Sequence, residues 1–227
     1  MRFTVDADLL AAARRVLANR DHLYWIVGGA GSGKTTVCQS LSACFDLPVY
    51  DMDAHIYGDY HARFTPERHP VNRAWANAEN GLAWLLAMSW DEFDSFNRAA
   101  LAEYLDLLAE DLAGQPSDAG VLIDGGICNP ALLAEVLPPR QIVALAVPAS
   151  SSIEVWEGSA ERAAMKEMVA QLPIGENAWQ NFLAFDEAIT RTILTECSAV
   201  GIAVCARRAS EPVADFAGRV ARVLGLQ

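Results

Sequence analysis

Gly28-Gly-Ala-Gly-Ser-Gly33-Lys34-Thr35-Thr36 is the segment whose residue types and spacing are best suited to chemistry, because it matches G-x-x-x-x-G-K-[ST]. Glycines in such a run let successive backbone N–H groups turn inward around phosphate oxygens, and the start of a following helix adds its dipole. Gly29, Ala30, Gly31, Ser32, Gly33, Lys34, Thr35 and Thr36 together form a candidate cradle for a nucleoside triphosphate. Lys34 supplies a cation for the β- and γ-phosphates, and Thr35 a hydroxyl for Mg²⁺. From composition, a chance match is on the order of 10⁻³. Lys34 and Lys166 are the only lysines in a chain that otherwise uses arginine, which argues for a compact ammonium at this position.

Carboxylates follow at two strand ends. Val49-Tyr50-Asp51-Met52-Asp53 lies about 17 residues after Lys34, and strand alternation puts Asp51 and Asp53 on one side of the chain. Two carboxylates there repel unless they divide the work: Asp51 on the metal side, Asp53 accepting a proton from, or orienting, a phosphate acceptor. The local alternative makes Asp53 a helix N-cap and Asp51 a turn residue. Val121-Leu122-Ile123-Asp124-Gly125-Gly126 ends in a third carboxylate, Asp124, positioned for the Mg²⁺ shell, with Gly125 and Gly126 leaving room for a substrate. Gly rather than Glu follows Asp124, so the water-activating acid of motor ATPases is missing.

Cationic side chains complete the candidate set. Arg63, Arg68 and Arg73 are placed to bind an anionic group on the acceptor. Arg162 and Lys166, one turn apart on a helix, could clamp a phosphoryl group in transfer, or pair with Glu161 and Glu167 on a solvated face. Arg207 or Arg208 could stack on a base. Ser210 is expected to cap the last helix with Pro212 in its first turn. His55, His61 and His69 cluster without the spacing of a metal site, and none is expected.

The elements that must position these groups alternate. Short apolar runs at 23–27, 48–50, 121–123, 142–147 and 201–204 read as strands buried in a parallel sheet, with helical patterns between most of them. A helix is expected over 5–19. Residues 57–113 are too long for one crossover and read as a helical insert over the site, whose Leu101, Leu105, Leu108 and Leu112 form a core-packing stripe. Residues 150–178 read as a lid region, with a helix over 159–166, a break at 173–176 and a long helix over 177–197. The expectation is a doubly wound α/β sheet in one domain, 1–227, with its ligand beyond the carboxyl ends of the strands.

Composition narrows the partners. With 17 Lys+Arg against 29 Asp+Glu, net −12, the chain is not expected to bind nucleic acid through a basic surface. Cys38, Cys44, Cys128, Cys197 and Cys205 are odd in number, form no C-x-x-C pair and read as reduced core thiols. No signal layout or spanning apolar run appears, so no membrane partner and a cytoplasmic location are expected.

The loop, the D-x-D of Asp51 and Asp53, and Asp124 resemble those of the P-loop kinases of small metabolites, the group of nucleoside monophosphate, shikimate, gluconate and dephospho-CoA kinases. Pro48 to Asp53 is especially similar to the corresponding strand of dephospho-CoA and shikimate kinases. The resemblance implies a three-layer sandwich with a parallel five-stranded sheet of order 2-3-1-4-5, ATP as donor, Mg²⁺ as cofactor and a small-molecule acceptor. It covers residues 23–53 well and 121–126 moderately, but gives the 57–113 insert no counterpart and so transfers no substrate. An ATPase or nucleotide switch acting on a protein partner, and an antibiotic-modifying kinase, are the alternatives.

Overall fold

The computed structural model of the chain describes residues 2–146, 152–158, 160–208 and 210–226, leaving aside the side chains of residues 160 and 161. Val147, Ser159 and the Glu161 side chain, which figure in the expectations above, lie outside the described residues.

Five parallel strands form one sheet in the order β2-β3-β1-β4-β5, as the resemblance implies. They are β1 (Leu23–Gly28), β2 (Val49–Asp51), β3 (Val121–Asp124), β4 (Ile142–Ala146) and β5 (Ala203–Ala206). Every residue of β1 and β3 is buried, as continuous apolar runs in a two-sided sheet require. Register pairs Ile26 with Asp124 and Asp51 with Asp124, so β1, β2 and β3 deliver their carboxyl ends to one edge. β5 starts two residues later than its apolar run, because Gly201 takes φ 76° to end the preceding helix.

Helices cover both faces. On one side α2 (Lys34–Phe45) and α12 (Val213–Leu224) bury Val37, Leu41, Phe216 and Val220 against the sheet. On the other lie α1 (Ala7–Leu17), then α3 (Met52–Tyr57), α4 (Tyr60–Arg63), α5 (Pro70–Ala76), α6 (Gly81–Leu86) and α7 (Trp90–Ala113), and beyond β3 the short α8 (Pro130–Leu133). α9 (Ser152–Glu157), α10 (Ala160–Ala170) and α11 (Ala178–Val200) occupy the stretch between β4 and β5.

α7 starts with a capping box, Ser89 with Glu92, and its Leu101, Leu105, Leu108 and Leu112 are at most 2% exposed. Burial of each contributes about 1.5–3 kcal/mol. The helix is more than a one-sided stripe: Ala99 to Ala109 is buried all round, with α1 and α5 packed against it. Two acidic residues therefore lie inside. Glu103 accepts from the Val71 and Asn72 N–H groups at 2.9 and 2.8 Å and so holds the first turn of α5. Asp106 pairs with His69 at 3.1 Å and Arg68 at 2.7 Å.

Two local expectations are corrected. Ser210 does not cap α12: Pro212 holds that position without a side-chain cap, Ser210 lies at φ 61°, and Glu211 binds Arg219 and the Arg208 N–H in the same loop. The cysteines are unpaired, but not all are core thiols, since Cys44 is exposed and Cys128 half-buried. No helix among the described residues is long and apolar enough to cross a membrane.

Candidate active site

Between Gly28 and Lys34 the chain leaves β1 and enters α2 through glycines that do different jobs. Gly31 and Gly33 sit at φ 74° and 86°, where an L side chain is strained. Gly33 occupies the N-cap position with no side-chain cap, leaving the first N–H groups of α2 available to an anion. Gly29 is a packing glycine: a Cβ there would meet Thr190 Oγ1 of α11 at 2.2 Å. Ser32 Oγ is buried without a hydrogen-bond partner inside the loop. Lys34 Nζ folds back over it, donating to the Gly28 and Gly29 carbonyls at 3.0 and 3.3 Å.

The D-x-D does not alternate as a strand. β2 stops at Asp51, whose side chain accepts from the Ala54 N–H at 2.9 Å and caps α3. The helix turn, about 100° per residue, then carries Asp53 to a different direction. The cap expected at Asp53 is thus supplied by Asp51, and Asp53 reaches the Gly126 N–H instead. A Cβ on Gly125, itself at φ 69°, would lie 2.9 Å from Asp53 Oδ2 and 3.2 Å from Lys34 Cε. The carboxylate and the aliphatic end of the lysine therefore both lie beside Gly125, the ammonium itself being turned to the Gly28 and Gly29 carbonyls. Crowding by the protein pushes the Asp53 carboxyl above its usual range, aided by Asp51 and Asp124 and opposed by Lys34.

Asp124 is buried and touches the Thr35 hydroxyl and the Cys38 thiol. Desolvation raises its pKa, partly offset by the Thr35 hydrogen bond and by Lys34. Its Oδ1 has no hydrogen-bond partner. An orphaned carboxylate oxygen beside a hydroxyl, level with Asp51, fits the hard-oxygen donor set of Mg²⁺. Among the described residues no cluster of three or more His, Cys, Asp or Glu side chains forms a protein-only cage, and Mg²⁺ ordinarily keeps waters and substrate phosphates as ligands.

α9 and α10 lie over the loop. A Cβ on Gly31 would meet Val155 Cγ1 at 2.8 Å and Arg162 Nη1 at 3.0 Å. Arg162 donates to the Val155 carbonyl at 2.7 Å, with its guanidinium 5.6 Å from the Trp156 ring centroid. Lys166 does not join it, pairing with Glu157 at 2.7 Å beside Trp179.

The arginines of 57–113 divide. Arg63 binds Asp111 at 2.7 Å and Glu110 at 3.2 Å, and Arg68 binds Asp106 and Glu110, so both fasten the segment to α7. Their carboxylate partners lie on α7, far along the chain, which local spacing does not reveal. Among the described residues Arg73 makes no such pair, and its Nε is buried without a partner there. Arg207 donates to the Glu211 carbonyl at 2.8 Å in the loop after β5 and is exposed. Gly126, at φ 76°, faces Met52, into whose side chain a Cβ would run.

Sequence spacing missed Tyr57, Tyr104 and Cys128, which share the space beyond Asp53. Tyr57 and Cys128 both lie within electrostatic reach of Asp53, as does Tyr104 beneath them. The signal for Tyr57 was present, since it follows Asp53 by one helical turn.

No family model and no curated protein matches the chain. Among solved structures it is similar to TT1252 from Thermus thermophilus, at 18% identity over 89% of this chain and 96% of that one, with a TM-score of 0.46. It is also similar to shikimate kinase from Acinetobacter baumannii in complex with shikimate, at 17% identity over 89% and 92%, with a TM-score of 0.43. The strand order and the glycine loop after the central β1 match the α/β sandwich of P-loop NTPases.

Proposed function

We propose that the chain is an ATP-dependent phosphotransferase acting on a small molecule, with ATP as donor and Mg²⁺ as cofactor. The observation that supports this reading is that Lys34 and Asp53 both lie beside Gly125, at the end of the glycine loop. A cation for the γ-phosphate and a carboxylate for an acceptor hydroxyl then flank one point. The acceptor oxygen attacks the γ-phosphorus, the bond to the β–γ bridging oxygen breaks, ADP leaves, and Asp53 takes the hydroxyl proton.

Backbone N–H groups of 29–35 and Lys34 hold the triphosphate, and Arg162, above Gly31, reaches toward it. Thr35, Asp124 and Asp51 are the residues that would hold Mg²⁺, which when bound neutralises charge on the β- and γ-phosphates. Gly125 keeps the acceptor's approach to Asp53 open, whereas Gly126 is required by its contact with Met52. Closure of α9 and α10 would exclude water that otherwise hydrolyses ATP.

The test is ADP release from Mg-ATP, alone and with pooled nucleosides, nucleotides, sugars, hydroxy acids and antibiotics. One pool is expected to raise the rate well above the no-acceptor rate, and Lys34→Ala to abolish it. Equal turnover in every pool would replace this reading with a nucleotide-driven switch acting on a protein partner.

A further inference from the structure

The surface beyond Asp53 carries information about what the acceptor is, an inference that rests on the phosphotransferase reading. Tyr57 stands one turn after Asp53 on α3 and is 68% exposed, the most exposed of the large hydrophobic side chains described. It is braced in place: its ring meets the Trp75 ring edge-on at 5.7 Å, and Trp75 is backed by His61 at 4.7 Å. Buried Tyr104 and half-buried Cys128 lie close by. An aromatic face held rigid beside the proton acceptor is a surface for a ring.

All the arginines near this face but Arg73 are already paired. Arg63 and Arg68 are tied to Asp111, Glu110 and Asp106. Arg98 is held by Asp94 at 2.8 Å and by Glu196, and Asn129 joins the same group through Asp94 at 2.9 Å. Arg73 stands two positions from Trp75 on α5, about 200° around the helix, and so projects from nearly the opposite side. Lys34 belongs to the phosphate loop. Of the carboxylates acting on the Cys128 thiol, Asp94 and Glu196 are paired with Arg98, which leaves Asp53. An acceptor phosphate or carboxylate would lack the guanidinium that such groups ordinarily meet, and would face Asp53 at close quarters.

We infer that the acceptor is a ring-bearing alcohol with no anionic group, neutral or cationic, that stacks on Tyr57 and presents a hydroxyl to Asp53. Phosphorylated and carboxylated compounds are rejected by the same surface.

The experiment divides acceptors by charge. ADP release from Mg-ATP is measured with a pool of nucleosides, neutral glycosides and aminocyclitols, and with a matched pool of nucleoside monophosphates, sugar phosphates and uronic acids; Lys34→Ala serves as blank. The first pool is expected to stimulate release and the second not. With the responding compound, Tyr57→Ala should raise the acceptor KM about tenfold, the upper end of what aromatic stacking supplies, with a smaller change in kcat. Tyr57→Phe should keep the wild-type KM and, by folding normally, separate loss of the ring from loss of the fold. Stimulation by the anionic pool overturns the acceptor class and leaves the phosphotransferase standing. An unchanged KM in Tyr57→Ala overturns the stacking. Equal hydrolysis in both pools overturns the phosphotransferase and this inference with it.

Discussion

Asp53 and Asp124 are both held above the usual carboxylate range by the protein around them, so the ligand-free fold binds more protons than the unfolded chain between that range and the raised values. Stability then rises as pH falls into that window, and the cost of the two charges is fully present above it. Replacing Asp124 with asparagine removes one cost, so Asp124→Asn is expected to melt above wild type at pH 8, the gap narrowing as pH approaches 4. Thermal melts in metal-free buffer check this, and a variant that melts below wild type at pH 8 contradicts it. The gain in stability comes with loss of Mg²⁺-dependent turnover, because the orphaned Oδ1 is what the metal would meet. The loop between β1 and α2 was legible in the sequence because its glycines encode local backbone turns. The division between Asp51 and Asp53 was not, since it depends on the single residue at which β2 ends and α3 begins.

Between elements, the link of α5 to α7 decides whether the segment over the site holds its shape. Burial pushes the Asp106 carboxyl up, but hydrogen bonds from His69 and Arg68 outweigh it, and its pKa is lowered overall. A lowered carboxylate adds stability that is present above its unfolded value, near 4, and is lost as pH falls through the folded one. Asp106→Ala strands buried His69 and is expected to cost about 2–4 kcal/mol at pH 7, read as a lower urea midpoint. That cost should shrink in acid. Arg68→Ala should lower the midpoint less, because Arg68 is half-exposed, and should leave the acceptor KM unchanged. A raised KM in Arg68→Ala would return that arginine to the acceptor site. The leucine stripe of α7 was readable from its period, yet the period gives no sign that the opposite face is buried too. Only the packing of α1 and α5 against it makes that so.

At the scale of the whole molecule, alternating apolar runs and helical patterns specified the sheet because each strand is a local run, β1 and β3 buried throughout at its centre and β2 and β5 largely exposed at its edges. How the 57–113 segment meets the 152–200 segment is a matter of distant contacts. A small cluster of Ala83, Leu86, Val169, Leu172, Ala178 and Trp179 joins α6 to α10 and α11, so the acceptor side and the helices over the phosphate loop share one packed seam. Triphosphate binding should therefore be felt by the fold as a unit, despite a net charge of −12 that repels an anion at long range. A ligand at about 100 times its Kd stabilises the state it binds by about 2.7 kcal/mol. For a chain of this size that corresponds to a rise in melting temperature of roughly 5–10 °C. Mg-ATP is expected to produce such a rise in wild type and none in Lys34→Ala, whose cradle lacks its cation. The comparison is made at one protein concentration by scanning calorimetry. An equal rise in both proteins would locate the nucleotide away from the Gly28–Thr36 loop and undo the assignment from which the site was built.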